Sequence, residues 1–344
     1  MRTPPVIVRR MVVAPLAVVL ELVFVLVSPL LALLAVLLAP VAGGSRPLRL
    51  LAIAVTFAAR HAAGLIACLG LWIAGGFGAR AGSPSMQRAY YGLLRWFVGG
   101  TYRSIARWAR VDVRIDGSDA ALEALSGRSG PAIVLSRHAG EGDSLLVLHE
   151  LLCRHGRRPR LVLHEALRLD PLIDILGHRL SNRFVDPRGG DTEVEIAAMT
   201  EGVDDDGAVL IFPEGANFTE ARRARGIERL EQAGREEQAA WARELRHLSA
   251  PRPGGTLAAI EAAPHAHVVV VGHIGMPVGF AELWRLLPAK QTIELRLWLA
   301  DELPEDHHER IDWLFGRWRE LDDWVHAAEE PPAEEAAQLD DGVD

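Results

Sequence analysis

The thirty residues from Val12 to Val41 carry a single charge, Glu21, and are interrupted only by prolines at positions 15, 29 and 40. As a helix rising about 1.5 Å per residue, the run is long enough to cross the ~30 Å hydrocarbon layer of a bilayer. A cleavable signal peptide has a shorter apolar core that ends at a small-residue cleavage site, and this run continues past that length. The expectation is a retained, membrane-associated helix. Its competitor is a buried core helix of a soluble protein, which thirty mostly apolar residues in a row disfavour.

After a turn-like GGSRP at 43–47, a second apolar run from Leu48 to Phe77 holds Arg60 and His61 near its middle. Those groups make it a poor lipid-facing span and suit a re-entrant or interfacial helix. Arginines stand before the first run (Arg2, Arg9, Arg10) and after the second (Arg80, Arg88, Arg95), with Arg46 and Arg49 between. That bias favours a membrane-associated helical hairpin over residues 1–83 with both ends on the cytoplasmic face. Residues 84–110 then mix Tyr90, Trp96, Phe97 and Trp108 with five arginines, as an amphipathic connector does. Such a segment can sit in the headgroup zone or pack as a linker helix on the C-terminal domain.

Charge divides the chain in the same place. Residues 1–110 hold twelve arginines and one acid, a balance of +11, which leaves −19 for the remainder of a chain with formal net charge −8. Basic residues flanking apolar runs suit an anionic membrane surface. Nucleic acid is not expected as a partner, because basic and aromatic residues are not interleaved on a polar face. Two cysteines, Cys68 and Cys153, lie far apart without metal-ligand spacing and give no disulfide framework.

From Val111 short apolar runs alternate with helical stretches: VDVRI, AIVL at 132–135, LVL at 161–163, RFV around 184, AVLIF at 208–212, HVVVV at 267–271 and IELRLWL at 293–299. This predicts an α/β domain over residues 111–328, a mixed central sheet flanked by helices. Residues 220–249 are charged and helix-forming, and PRPGG at 251–255 reads as the turn that ends them. Ile311, Leu314, Phe315, Trp318, Leu321 and Trp324 recur at helical spacing, as one buried helix face does. Residues 329–344 form an acidic tail expected to be disordered.

Chemistry concentrates in SRHAGEGDS, Ser136 to Ser144, directly after the AIVL run. His138 just past a strand end can expose its ring at the sheet rim, and Asp143, on the first turn of the next helix, can face back to it. A carboxylate on one ring nitrogen fixes the tautomer and leaves the other nitrogen to accept a proton from a hydroxyl. The pair is a general base without a serine nucleophile. A metal cluster of His138, Glu141, Asp143 and His149 can also be drawn, but H-E-x-x-H spacing is missing and no metal is expected.

A second strand-like run ends in FPEG, Phe212 to Gly215. H-x4-D followed by FPEG resembles the glycerophospholipid acyltransferase family, typified by 1-acylglycerol-3-phosphate (lysophosphatidic acid) acyltransferase and including lysocardiolipin-type relatives. The likeness covers roughly residues 100–300. It implies that His138, oriented by Asp143, deprotonates the free hydroxyl of a lysophospholipid, which attacks the thioester of acyl-CoA or acyl-ACP without an acyl-enzyme. It further implies that Phe212, Pro213, Glu214 and Gly215 bind the glycerol-phosphate part of the acceptor. An arginine motif in Phe184–Arg188 would hold the phosphate, through Arg188 or through Arg183, because a guanidinium fork binds two oxygens at once. The family's last apolar block corresponds to Val268–Gly272. No cofactor is implied beyond the donor itself.

The chain departs from the common F-P-E-G-T-R pattern at Ala216 and Asn217, and carries Ser136-Arg137 before the histidine. Arg222, Arg223 and Arg225 downstream are candidates for the lost cation. The expected activity is transfer of a fatty acyl group to a lysophospholipid, 1-acylglycerol-3-phosphate giving phosphatidic acid, at a membrane surface. Its alternatives are transfer to another membrane alcohol, thioester hydrolysis, and a non-catalytic lipid-binding relative.

Overall fold

The structure is a computed structural model that describes residues 3–140, 142–186, 192–277, 279–300 and 302–329. Seven strands form one sheet: β1 (Val111–Gly117), β2 (Ala132–Ser136), β3 (Arg158–His164), β4 (Arg183–Val185), β5 (Gly207–Ile211), β6 (His267–Ile274) and β7 (Gln291–Leu299). Each falls on a run that the sequence marks as a strand. Their order across the sheet is β1-β7-β6-β2-β5-β3-β4, parallel except where β6 meets β7. The expected mixed sheet flanked by helices is therefore present.

Before the sheet come α1 (Val6–Val8) and α2 (Ala14–Leu38), joined through a π-helical turn at Arg9–Val13, then α3 (Arg46–Ala74) and α4 (Pro84–Trp108). Between and after the strands lie α5 (Asp119–Leu125), α6 (Asp143–His149), α7 (Pro171–Arg179), α8 (Thr192–Thr200), α9 (Glu220–Gln232), α10 (Glu236–Glu244), α11 (Pro253–Ala262), α12 (Phe280–Leu286) and α13 (His307–Glu329). The π turn precedes Pro15, whose missing N–H cannot close the regular ladder there.

β2 and β5 are buried along their whole length, because helices cover both faces. Alternate side chains enter opposite layers. Ile133, Leu135, Val209, Ile211, Val268 and Val270 join the core shared with Leu314, Trp318 and Leu321 of α13. Val134, Leu210, Val269 and Val271 join the core on the other face with Leu146 and Val147 of α6. The α13 stripe thus packs on the domain, with Trp324 edge-on to Trp298 at 5.5 Å.

PRPGG is not the turn expected of it. Pro253 occupies the start of α11, where its missing N–H costs nothing, and the segment from Leu245 to Arg252 makes the connection instead.

The two apolar runs form antiparallel helices. All but four of the exposed large apolar side chains among the described residues lie between Val6 and Phe77, the others being Trp96, Leu167, Leu169 and Val194. α2 leaves most of its residues exposed, whereas α3 buries His61, Ala62, Leu65 and Cys68 against its neighbours. Arg60 donates to the Trp96 carbonyl at 2.9 Å and lies over that indole ring. His61 lies between Glu21 at 2.6 Å and Asp170 at 3.1 Å. The charges inside the second run are thus partnered by α2, α4 and the loop before α7.

α4 turns Tyr90, Tyr91 and Val98 inward, so the connector packs on the domain. Tyr91 donates to the Pro159 carbonyl at 3.3 Å. At the start of the chain, buried Arg9 pairs with buried Asp174 of α7 at 2.9 Å.

Candidate active site

In a parallel sheet the C-terminal ends of the strands share one edge, and the ends of β2, β5 and β6 adjoin. His138 follows β2, Phe212 to Gly215 follow β5, and His273 lies at the end of β6. The edge of the sheet therefore assembles residues more than a hundred positions apart.

Asp143 occupies the first turn of α6, where the helix dipole favours its charge, and it is fully buried. Its Oδ2 faces His138 Nδ1 at 3.3 Å and accepts backbone N–H groups from Ala139 at 2.6 Å and Gly140 at 3.0 Å. His138 remains partly exposed, and Nε2 has no protein partner among the described residues. The Phe212 ring lies 4.4 Å from the imidazole, centroid to centroid, and backs it on one side. Burial opposes ionisation of Asp143. The hydrogen bond from His138, with His273 and the Gly140 N–H, outweighs it and holds the carboxyl well below the usual range.

Glu214 joins two loops. Its Oε1 accepts the His138 N–H at 2.9 Å and its Oε2 accepts the Ser249 N–H at 2.9 Å. Both oxygens are spent on backbone. Burial pushes this carboxyl up to about 8, against the pull of those two N–H donors and of Arg137. Gly215 has φ +73°, a left-handed conformation that favours glycine, and a Cβ there would stand 3.1 Å from the Arg252 guanidinium carbon. Pro213 offers its carbonyl to the Arg252 N–H at 2.8 Å, and the Phe218 N–H reaches the His138 carbonyl at 2.7 Å. The FPEG turn and the histidine loop are thus one hydrogen-bonded unit.

The arginines expected at the phosphate divide. Arg188 lies outside the described residues. Arg183 begins β4, three strands and about 14 Å from β2 at ordinary strand spacing, and pairs with Glu195 at 3.2 Å. The sheet does not bring it to His138. Arg137 is buried and donates to the His273 carbonyl at 2.6 Å. Arg222 and Arg223 donate to the backbone carbonyls of Asn217 and Leu245 respectively.

His273 escaped sequence reasoning. It is fully buried, with Nε2 3.4 Å from Asp143 Oδ2, and neither ring nitrogen makes a hydrogen bond of regular geometry among the described residues. The signal available was HVVVVGHI, whose alternation continues past Gly272 and turns residue 273 to the same side as Val269 and Val271. Glu141 of the possible metal cluster is outside the described residues. His149, at the other end of α6, stacks on Tyr102 at 3.7 Å.

The model of the family described as Acyltransferase matches residues 113–273, from β1 through β6. No curated protein matches the chain. The stretch that carries His138, Asp143 and FPEG is thus similar to an acyltransferase domain, a likeness that supports acyl transfer in general.

Proposed function

We propose that the protein moves a fatty acyl group from a thioester donor, acyl-CoA or acyl-ACP, to the free hydroxyl of a lysophospholipid, 1-acylglycerol-3-phosphate being the leading acceptor. The observation that carries this reading is the His138–Asp143 pair at the sheet edge inside the stretch similar to an acyltransferase domain. With Nδ1–H donated to Asp143, Nε2 carries the lone pair and accepts the hydroxyl proton as the oxygen attacks the thioester carbon. The C–S bond then breaks, and the leaving sulfur takes the proton back from Nε2. Asp143 remains ionised and stabilises the imidazolium. Glu214 acts as a positioning residue, fixing the His138 backbone from the FPEG side.

The hairpin supports a lipid acceptor. Arg46 near the start of α3 reaches the carbonyl of Leu287, which precedes β7, and His61 in its middle reaches Asp170, which follows β3. Both partners lie at the sheet edge that bears His138. α3 therefore runs beside that edge over about 23 Å, with the apolar surface of α2 on its outer side. A helix lying along the domain in this way embeds in one leaflet instead of crossing the bilayer, with the domain on the cytoplasmic face. The test is a lysophospholipid panel with purified protein in detergent, reading lipid product and free thiol together. Thiol released at the same rate without acceptor would make the protein a thioesterase, and product formed only with another alcohol would reassign the acceptor.

A further inference from the structure

A cavity of about 430 Å³ opens beside the FPEG turn, where Arg252 of its lining packs on Gly215. Three arginines from three elements line it: Arg229 of α9, Arg235 between α9 and α10, and Arg252 just before α11. None pairs with a carboxylate among the described residues, whereas Arg158, Arg243 and Arg317 elsewhere on the surface all do. Partial desolvation, followed by the charge of Arg229, holds the Arg252 guanidinium below its ordinary value, although the residue keeps solvent contact. Three arginines outnumber the two acids, Glu193 and Glu261, around this concavity, and like charges left unpaired there gain most from an anion that bridges them.

The groove is wired to the catalytic loop. Arg252 packs on Gly215 through its guanidinium and donates its N–H to Pro213. Ser249, three residues earlier, shares the Glu214 carboxylate with His138. Leu230, Leu257 and Ile311 supply an apolar wall. Of the two acids in the lining, Glu261 is engaged by His307 at 3.3 Å and Arg310 at 3.9 Å. Glu193 lies against Gly254.

We infer that this groove holds the phosphate-bearing nucleotide end of the thioester donor, with the arginines on its phosphates and the apolar wall against its ring. The inference rests on the acyl-transfer reading and extends it to a donor of the coenzyme A type. The volume is that of a small-ligand site. The balance of −19 over residues 111–344 repels an acidic carrier protein, while a small polyanion meets chiefly the local arginines.

The experiment titrates coenzyme A and phosphate-free pantetheine into the full-length protein in detergent by calorimetry, for wild type, R229Q/R235Q and H138A. Arg229 and Arg235 are exposed and do not touch the catalytic loop, so the double variant is expected to fold. Coenzyme A should bind wild type and H138A equally, pantetheine far more weakly, and R229Q/R235Q should lose at least tenfold in coenzyme A affinity. In turnover the double variant should raise KM for acyl-CoA at least tenfold with kcat and the lysophospholipid KM unchanged. Unchanged coenzyme A affinity, a rise in the lysophospholipid KM, or a defect confined to an acyl carrier protein donor would overturn the assignment. Because the calorimetry needs no turnover, arginine-dependent binding would uphold the groove even if no lysophospholipid were acylated.

Discussion

Asp143 concentrates three donors on one oxygen, so its replacement separates charge from shape. In D143N the side-chain oxygen can still accept from Ala139 and Gly140, but the imidazole loses its anion. Activity should fall about 10²–10⁴-fold with the fold retained, read as kcat in a thiol-release assay. The same carboxyl sets a pH dependence of stability. Its folded-state value is depressed, so its contribution is complete above the ordinary carboxylate value, about pH 4, and is lost as pH falls through the lower folded value. The stability gap between wild type and D143N, followed by denaturant unfolding, should therefore be constant near neutrality and shrink in acid. Glu214 makes the complementary case. E214A strands two backbone N–H groups, at about 1–3 kcal/mol each. It should lower the unfolding temperature as well as activity, because the His138 backbone loses its tether.

At the scale of the element, the strands were legible because a buried parallel strand needs an unbroken apolar run, and AIVL, AVLIF and HVVVV have few other places to go. The histidine at a strand end and the aspartate on the next helix were legible for the same reason, since a strand-turn-helix junction leaves few geometries. What could not be read is long-range. Nothing local in HVVVVGHI tells that residue 273 will reach Asp143, nor that both Glu214 oxygens will be spent on backbone from two distant loops. Arg183 lies three strands from β2 because strand order, which local pattern does not encode, sends β4 to the far edge. Likewise Arg60 and His61 read as misfits in an apolar run until α2, α4 and the loop before α7 supply their partners. The latch between Arg9 and Asp174 joins the N-terminal apolar helix to the domain, and both groups are buried. D174A leaves a buried cation unpaired and should cost about 3–5 kcal/mol, measured by thermal unfolding. It should also free the first turns of the chain to proteolysis.

At the scale of the whole molecule, charge and apolarity divide the labour. The exposed apolar surface is confined almost entirely to residues 6–77, while the domain beyond residue 110 carries the negative balance. Attachment to a bilayer should therefore be dominated by apolar burial. The protein should float with phospholipid vesicles even in 1 M salt, where the screening length is about 3 Å, and release by salt would point to a merely electrostatic contact. The proton relay proposed for His138 runs through side chains, so a chelator should leave the rate unchanged. Catalysis in this scheme depends above all on His138 taking a proton from an acceptor hydroxyl. That step is probed by the release of free thiol from acyl-CoA by wild type and H138A, each with and without 1-acylglycerol-3-phosphate. Wild type should show acceptor-dependent release matched by phosphatidic acid, and a folded H138A should lose both by at least a hundredfold. Phosphatidic acid formed by H138A at the wild-type rate would contradict the general-base role.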